Sequence, residues 1–255
     1  MASNLGAHLR TIVLIPAWNE EGSVGGVVRE VRRELPSATV LVIDDGSEDR
    51  TVAEAQAAGA LLLQLPYNLG VGGAMRAGYR FAFRHGYEIA VQVDADGQHV
   101  VADLRRLIRR LDEADVVIGS RFMGRGNYDV RGPRRWAMRL LASVLSLLAR
   151  TRLTDTTSGF RATNRAAIAL FARNYPIEYL GDTVESLVDA ARAGLRIAEE
   201  PVAMVPRAIG KSSQSSLRAT AYLLRAVLVL ILATIRRPIQ RAPYRAPETG
   251  RPGPP

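Results

Sequence analysis

Five short apolar runs, alternating with four stretches of helical period, constrain this 255-residue chain more than any other feature. The runs are Thr11–Ile15, Thr39–Ile43, Ala60–Leu65, Ile89–Val93 and Asp115–Ile118. Between the first two, Glu21–Leu35 sets Val24, Val27, Val28, Val31 and Leu35 on one side, the spacing of a helix packed along one face. Thr51–Ala58, Gly72–His85 and Val100–Asp112 read as further helices. Near-continuous apolar strands alternating with helices predict an α/β domain with a mostly parallel sheet covered on both sides.

In such sheets ligands bind beyond the carboxyl ends of the strands. Polar motifs should therefore follow the strands directly, and they do. Pro16–Glu21 (PAWNEE) follows the first run and Asp44–Asp49 (DDGSED) the second. Pro66–Gly73 (PYNLGVGG) follows the third, Asp94–His99 (DADGQH) the fourth and Gly119–Phe122 (GSRF) the fifth. Beyond them, residues 124–135 are irregular and basic. Trp136–Ala149 reads as a helix with Arg139, Ser143, Ser146 and Arg150 along one stripe and Leu141, Val144, Leu145 and Leu148 opposite. Thr154–Arg161 (TDTTSGFR) follows, then a helix over Leu180–Ala193 and an edge strand over Arg196–Val205 interrupted by Pro201.

The charge is uneven. The net charge is +9, yet residues 121–165 and 207–255 each carry about +8, which leaves an acidic remainder. Two basic blocks on an acidic body point to a localised anionic partner: phosphate, a membrane surface or nucleic acid. The blocks lack the interleaved aromatics of a stacking platform, so no nucleic-acid partner is expected. The chain has no cysteine, which excludes disulfides, thiolate metal sites and a cysteine nucleophile. Residues Met1–Arg10 hold no apolar run and predict no secretory leader. Leu217–Ile235 is 19 residues long and apolar, but Arg225 near its middle favours a helix lying in the membrane interface over one that spans it. Arg236, Arg237 and Arg241 follow, as expected beside anionic headgroups. The last 18 residues, with six prolines, read as a disordered tail.

Asp94 and Asp96 place two carboxylates at one strand end. Hard oxygen ligands of this kind suit Mg²⁺ or Mn²⁺, which keeps its waters and bridges a diphosphate. Gln98 and His99 stand beside them as further ligands. Read alone, two aspartates at a turn also fit solvated or helix-capping roles. Asp44 and Asp45 follow another strand. Ser47 or Asp49 can cap the next helix, which leaves Asp44 and Asp45 for a ribose hydroxyl or a base edge. Asn68–Gly73 fits either a phosphate-cradling loop before a helix or a plain tight turn. It fails the dinucleotide fingerprint, because Met75 stands where a third glycine is needed, and it lacks the Gly-Lys-Ser/Thr of a P-loop.

Taken together, PAWNEE, DDGS and DADGQ, each after its own strand, resemble glycosyltransferase family 2 with its GT-A fold. Asn68–Tyr79, GSRF, TDTTSGFRATN and Glu199–Ser212 resemble a narrower branch, the dolichol- or polyprenyl-phosphate mannose (or glucose) synthases. The resemblance covers residues 11–213. It implies a GT-A catalytic domain over 11–214, preceded by an extension (1–10) and followed by an amphipathic or membrane-associated helix (215–237) and the tail (238–255). It implies that Pro16, Asn19, Glu20, Glu21, Asp44 and Asp45 bind the donor nucleoside. It assigns Asp94, Asp96 and Gln98 to a Mg²⁺ or Mn²⁺ ion and the diphosphate, Asp96 being catalytic. Arg121 matches an arginine facing donor or acceptor phosphate. Arg134, Arg135, Ser158 and Arg161 match the acceptor-phosphate side, and Glu185 an acidic position on the following helix. Arg207 and Lys211 match a loop closing over the donor phosphates. The family often reads GxSK there, whereas this chain reads Gly210-Lys211-Ser212-Ser213 and displaces the lysine.

The implied reaction moves a hexose from a nucleoside diphosphate, GDP-mannose or UDP-glucose, to a polyprenyl phosphate, with inversion, at the cytosolic membrane face. A lipid phosphate is largely a dianion at neutral pH and needs no general base. An alcohol acceptor, on a glycan or glycolipid, needs a carboxylate base, for which Asp182 and Glu185 are the candidates. The partners expected are the nucleotide sugar, the lipid phosphate and an anionic membrane surface, with an integral-membrane protein as a further candidate to receive the product. Two other classes compete. A dinucleotide-dependent oxidoreductase conflicts with the failed glycine fingerprint. A non-catalytic basic adaptor would tolerate Asp96→Asn.

Overall fold

The computed structural model describes residues 9–123, 133–177 and 182–205. Among them, seven strands form one sheet: β1 (Thr11–Ala17), β2 (Thr39–Asp44), β3 (Leu61–Gln64), β4 (Ile89–Gln92), β5 (Val116–Ser120), β6 (Arg161–Asn164) and β7 (Ile197–Pro201). Their order across the sheet is β3-β2-β1-β4-β6-β5-β7. All neighbours are parallel except β6, which runs antiparallel to β4 and β5. The helices are α1 (Val24–Glu34), α2 (Thr51–Ala57), α3 (Gly70–Arg84), α4 (Leu104–Arg110), α5 (Pro133–Ala149), α6 (Arg165–Asn174) and α7 (Asp182–Arg192).

The apolar runs explain the layering. Successive strand side chains alternate between faces. In β1, Ile12 and Leu14 join one core while Val13 and Ile15 join the other, and all four are fully buried. In β2, Leu41 and Ile43 take the first side and Val40 and Val42 the second. The first core is roofed by α3, α5, α6 and α7, the second by α1, α2 and α4. Burying a Val, Leu or Ile side chain fully contributes about 1.5–3 kcal/mol. A strand buried on both faces therefore has no room for the alternation of a half-exposed one.

The five apolar runs are β1 to β5, and the fold is the expected α/β arrangement with a mostly parallel sheet. Two elements differ from the expectation. Residues 161–164 were expected only as the end of a motif, yet they form β6, the antiparallel strand that joins β4 to β5. Residues 165–174 form α6, whose start is capped by Asn164: its Oδ1 accepts from Ala166 N–H at 3.0 Å and Ala167 N–H at 3.1 Å. The predicted edge strand is β7, which ends at Pro201, where the ladder loses its donor. Among the described residues, no helix is long and apolar enough to cross a membrane. The segment 217–235 and the tail lie outside the described residues.

Candidate functional site

At the carboxyl ends of β1, β2 and β4 a cleft of about 550 Å³ opens against the first turns of α3. Its lining includes Pro16 at the end of β1, Trp18 and Glu20 after it, Asp45 after β2, Asn68, Gly70, Val71 and Ala74 before and on α3, and Asp94 and Asp96 after β4. Each polar loop is there because its strand ends there. The parallel register sets Ala17 beside Asp44 and Leu14 beside Gln92, so the three loops leave the sheet at one rim.

Among the described residues, the ionisable groups of this lining are acidic: Glu20, Asp45, Asp94 and Asp96. Asp45 is almost wholly buried. Burial pushes its carboxyl up, neighbouring Asp44 adds to this, and the backbone N–H groups of Leu69 and Gly70 hold it back. Its Oδ1 accepts from Leu69 N–H at 2.8 Å. Asp44, also buried, accepts from Ser47 N–H at 3.2 Å. Both aspartates thus have structural partners that the sequence did not reveal: one fixes its own turn, the other the entry to α3.

Asn19 and Glu21 do not line the cleft. Asn19 sits in the left-handed region (φ 54°) and its Oδ1 accepts from Glu48 N–H at 2.9 Å. Glu21 Oε2 accepts from Arg50 N–H at 3.0 Å. These two side chains staple the loop after β1 to the loop after β2. Glu20 keeps its place in the lining while Ser23 Oγ donates to its Oε2 at 2.7 Å.

Two carboxylates at one rim suit a divalent cation. Among the described residues, no three His, Cys, Asp or Glu side chains cluster as a metal site. Asp94 and Asp96 offer the oxygen ligands that a hard divalent cation such as Mg²⁺ or Mn²⁺ takes together with substrate phosphates and water. Four acidic side chains around a cleft would repel a diphosphate unless cationic charge were added, and the donor set supplies oxygen ligands for it. Gln98 does not line the cleft. Its N–H donates to Asp96 Oδ1 at 3.0 Å and its carbonyl accepts from Val205 N–H at 2.9 Å.

The residues expected on the acceptor side behave differently. Arg121, at the end of β5, forms a forked pair with Asp155: Nε to Oδ2 at 2.6 Å and Nη2 to Oδ1 at 2.8 Å. Its Nη2 also donates to Thr157 Oγ1 at 2.9 Å. Asp155 is completely buried. Its N–H donates to Glu199 Oε1 at 2.7 Å. Burial pushes the Glu199 carboxyl up, against hydrogen bonds donated by Asp155 and Thr154.

Arg161, expected on the acceptor-phosphate side, is 1% exposed, and its guanidinium donates inward. Nε reaches Ser158 O at 2.8 Å, Nη1 reaches Ser186 Oγ at 2.9 Å and Nη2 reaches Thr156 O at 3.2 Å. Ser158 is buried too, its Oγ accepting from Phe160 N–H at 3.3 Å. Both side chains shape the loop from inside. Asp182, on the first turn of α7, is 2% exposed. Burial pushes its carboxyl to about 6, with Arg161 pulling it down and Asp94 adding to the rise. Among the described residues, its Oδ2 finds no hydrogen-bond partner. Glu185 stands on the same turn, half-buried. The side chains of Arg134 and Arg135, at the start of α5, lie outside the described residues, as do Arg207 and Lys211.

Asn68, Gly70 and Val71, from the loop that the sequence left open between a phosphate cradle and a tight turn, line the cleft. Sequence reasoning missed Trp18 and Ala74 there, and the partner of Arg121. Nothing local marks a side chain whose partner lies 34 residues away.

The comparisons fit this geometry. The pattern of the family described as glycosyl transferase family 2 matches residues 12–171. An undecaprenyl-phosphate mannosyltransferase of Micrococcus luteus is 34% identical over 223 residues, 81% of this chain and 88% of that protein. A polyprenol monophosphomannose synthase of Mycolicibacterium smegmatis is 31% identical over 227 residues, 81% of each chain. Among solved structures, glucosyl-3-phosphoglycerate synthase from Mycobacterium tuberculosis with Mn²⁺ and UDP-glucose superposes with a TM-score of 0.66 at 21% identity, covering 89% of this chain and 79% of that one. At that identity the likeness speaks for the fold alone, which is GT-A. The family match spans well over half of the chain, from β1 through α6, and takes in every strand loop that builds the acidic cleft; the chain belongs to glycosyltransferase family 2.

Proposed function

We propose that this enzyme transfers a hexose from a nucleoside diphosphate sugar, GDP-mannose or UDP-glucose, to a polyprenyl phosphate at the cytosolic face of a membrane, with inversion. The observation that carries the reading is the cleft lined, among the described residues, by the carboxylates of Glu20, Asp45, Asp94 and Asp96. Such a cleft suits a diphosphate that arrives with a divalent cation. The acceptor is taken from the relatives, which act on undecaprenyl phosphate and polyprenol phosphate by name.

In this reading Asp45, Glu20, Pro16 and the mouth residue Trp18 hold the nucleoside, with Asn19, Glu21 and Asp44 fixing the loops beneath. Asp94 and Asp96, with Gln98 beside them, would hold Mg²⁺ or Mn²⁺. When bound, the ion compensates charge on the departing diphosphate. An oxygen of the lipid phosphate supplies the electron pair for the new bond to the anomeric carbon, and the bond to the diphosphate breaks on the opposite side. No proton needs to move, since the phosphate is already largely ionised. Arg121 faces the phosphates with Asp155 holding its guanidinium flat. Arg134 and Arg135 add charge on the acceptor side, and Arg207 and Lys211 close on the donor. For a hydroxyl acceptor Asp182 is too deeply buried to meet a substrate, which leaves Glu185 as the base of that alternative.

Helix α5 supports the membrane part. Leu141 and Leu145 are fully buried in the core, yet Leu147 is 80% exposed and Leu140, one heptad earlier, 42%. Arg139, Ser143 and Arg150 are exposed beside them. An apolar pair flanked by arginines suits the headgroup boundary.

A donor screen tests the proposal. The full chain with Mn²⁺ is offered radiolabelled GDP-mannose, UDP-glucose or UDP-GlcNAc, each with polyprenyl phosphate or with the free polyprenol. Label should enter the organic phase with one donor and only with the phosphate. Equal transfer to the polyprenol, or none to the lipid phosphate from any donor, would overturn it.

A further inference from the structure

Asp94 carries a side chain that is 41% exposed, yet it is held on two sides. On one side lies His99, itself 6% exposed and stacked on Phe160 with ring centroids 4.6 Å apart and planes 19° from parallel. Its Nδ1 accepts a hydrogen bond from Asp94 N–H at 3.3 Å. A ring nitrogen that accepts carries no proton, so the proton of the neutral imidazole is on Nε2. Nε2 lies 3.6 Å from Asp94 Oδ2. One imidazole therefore addresses residue 94 twice, through its main chain and through its carboxylate.

On the other side lies Gly159. A Cβ at that position would stand 3.0 Å from Asp94 Oδ1 and 3.3 Å from Oδ2, so the backbone itself closes against the carboxylate. The imidazole is anchored in turn. Phe160 behind it is fully buried, and the backbone of His99 bridges to Met204. A carboxylate on a turn would otherwise sample several rotamers, and each adds an ordering cost when a ligand binds.

We propose that His99 is a positioning residue: it fixes Asp94 in the orientation that receives a divalent cation arriving with a nucleoside diphosphate. The proposal rests on the reading of Asp94 as a cation ligand. Partners of this kind, one step removed from the metal, typically change its affinity about 10- to 100-fold when lost.

The test is a titration of the full chain with Mn²⁺, followed by electron paramagnetic resonance, at saturating UDP and separately at saturating GDP. His99→Phe keeps the stack on Phe160 and removes both nitrogens. Its Mn²⁺ affinity with nucleotide should fall about 10- to 100-fold, while nucleotide binding without metal stays within twofold. His99→Asn keeps an acceptor near the Nδ1 position, His99→Gln a donor near Nε2, and each should recover part of the loss. A residue that only fills the core would show the opposite ranking, with phenylalanine tolerated best. Mn²⁺ affinity of His99→Phe within twofold of the parent overturns the proposal and leaves the reading of the cleft intact. Should that variant not fold, parental affinity in both His99→Asn and His99→Gln overturns it. A parent chain that binds no Mn²⁺ with either nucleotide overturns both.

Discussion

The two ends of the cleft rim use charge in opposite ways. After β1, β2 and β4, carboxylates open onto the cleft, and their helpers are backbone N–H groups, such as Leu69 N–H on Asp45, and the short side chain of Ser23 on Glu20. Around β5, β6 and α7, charges turn on one another: Arg121 on Asp155, and Arg161 inward beside Asp182. A polar residue just past a strand is thus two different things in one molecule. At the first end its charge is available to a ligand. At the second each charge is first held by another group of the fold, and where it is buried, as Asp155 and Arg161 are, leaving it unpaired would cost several kcal/mol.

The sharpest way to break this contrast is Arg161→Met. The volume is roughly kept, but Ser158 O, Thr156 O and Ser186 Oγ lose their donor, and the carboxyl of Asp182 loses its compensating charge. Removing one partner from a buried charged set typically destabilises by about 3–5 kcal/mol. For a chain of this size that corresponds to a fall in melting temperature of roughly 6–20 °C. A thermal melt that matches the parent, with only turnover lost, would place Arg161 with the ligand-facing charges and erase the contrast.

Asp96→Asn probes the other end and should invert the pattern. Asp96 is half-exposed, and an asparagine Oδ1 can still accept from Gln98 N–H, so stability should move by no more than about 0.5 kcal/mol. Transfer of label to lipid phosphate should fall by about 10²–10³, the scale on which one group stabilising developing charge acts, or about 2.7–4 kcal/mol. Turnover that survives this substitution, or survives excess chelator in the parent, would remove the cation from the proposed mechanism.

How much of this the sequence carried also divides between the two ends. The loops after β1, β2 and β4 were legible because parallel apolar strands end together, and polar residues placed at those ends have nowhere else to go. Asp94 and Asp96 were found that way. The second end was not legible, because its order comes from long-range pairing. In β6 only Ala162 is apolar among Arg161, Ala162, Thr163 and Asn164, so no apolar run announces a strand. It is made one by its neighbours, β4 and β5, and by a guanidinium satisfied from the loop just before it, at Thr156 and Ser158, and from Ser186 on α7. Helix α6 is a different case. Its signals are local: Asn164 caps the start, and Ala167, Ile168, Phe171 and Ala172 recur at helical spacing on the buried face.

The smallest expected effect, and the one that resolves the second end most finely, is a pH dependence tied to Asp182. In the fold its carboxyl titrates near 6, raised by burial against the pull of Arg161, while in the unfolded chain it returns to 3.8. The folded state therefore holds the proton more tightly. Below about pH 4 both states are protonated and the group has no effect on stability. Between about 4 and 6 the unfolded chain releases its proton first, so stability falls as pH rises, and above about 6 the loss is complete. A difference of roughly two pH units sets an upper scale of about 3 kcal/mol. Asp182→Asn removes this titration. Its stability relative to the parent should rise between pH 4 and pH 7 and level off above, read as the difference of two urea-unfolding series, which cancels the other carboxylates. A flat difference would mean that Asp182 is ionised throughout, locked to Arg161 as tightly as Asp155 is to Arg121, and the interior end would then be a fully paired network with no carboxyl left to take up a proton.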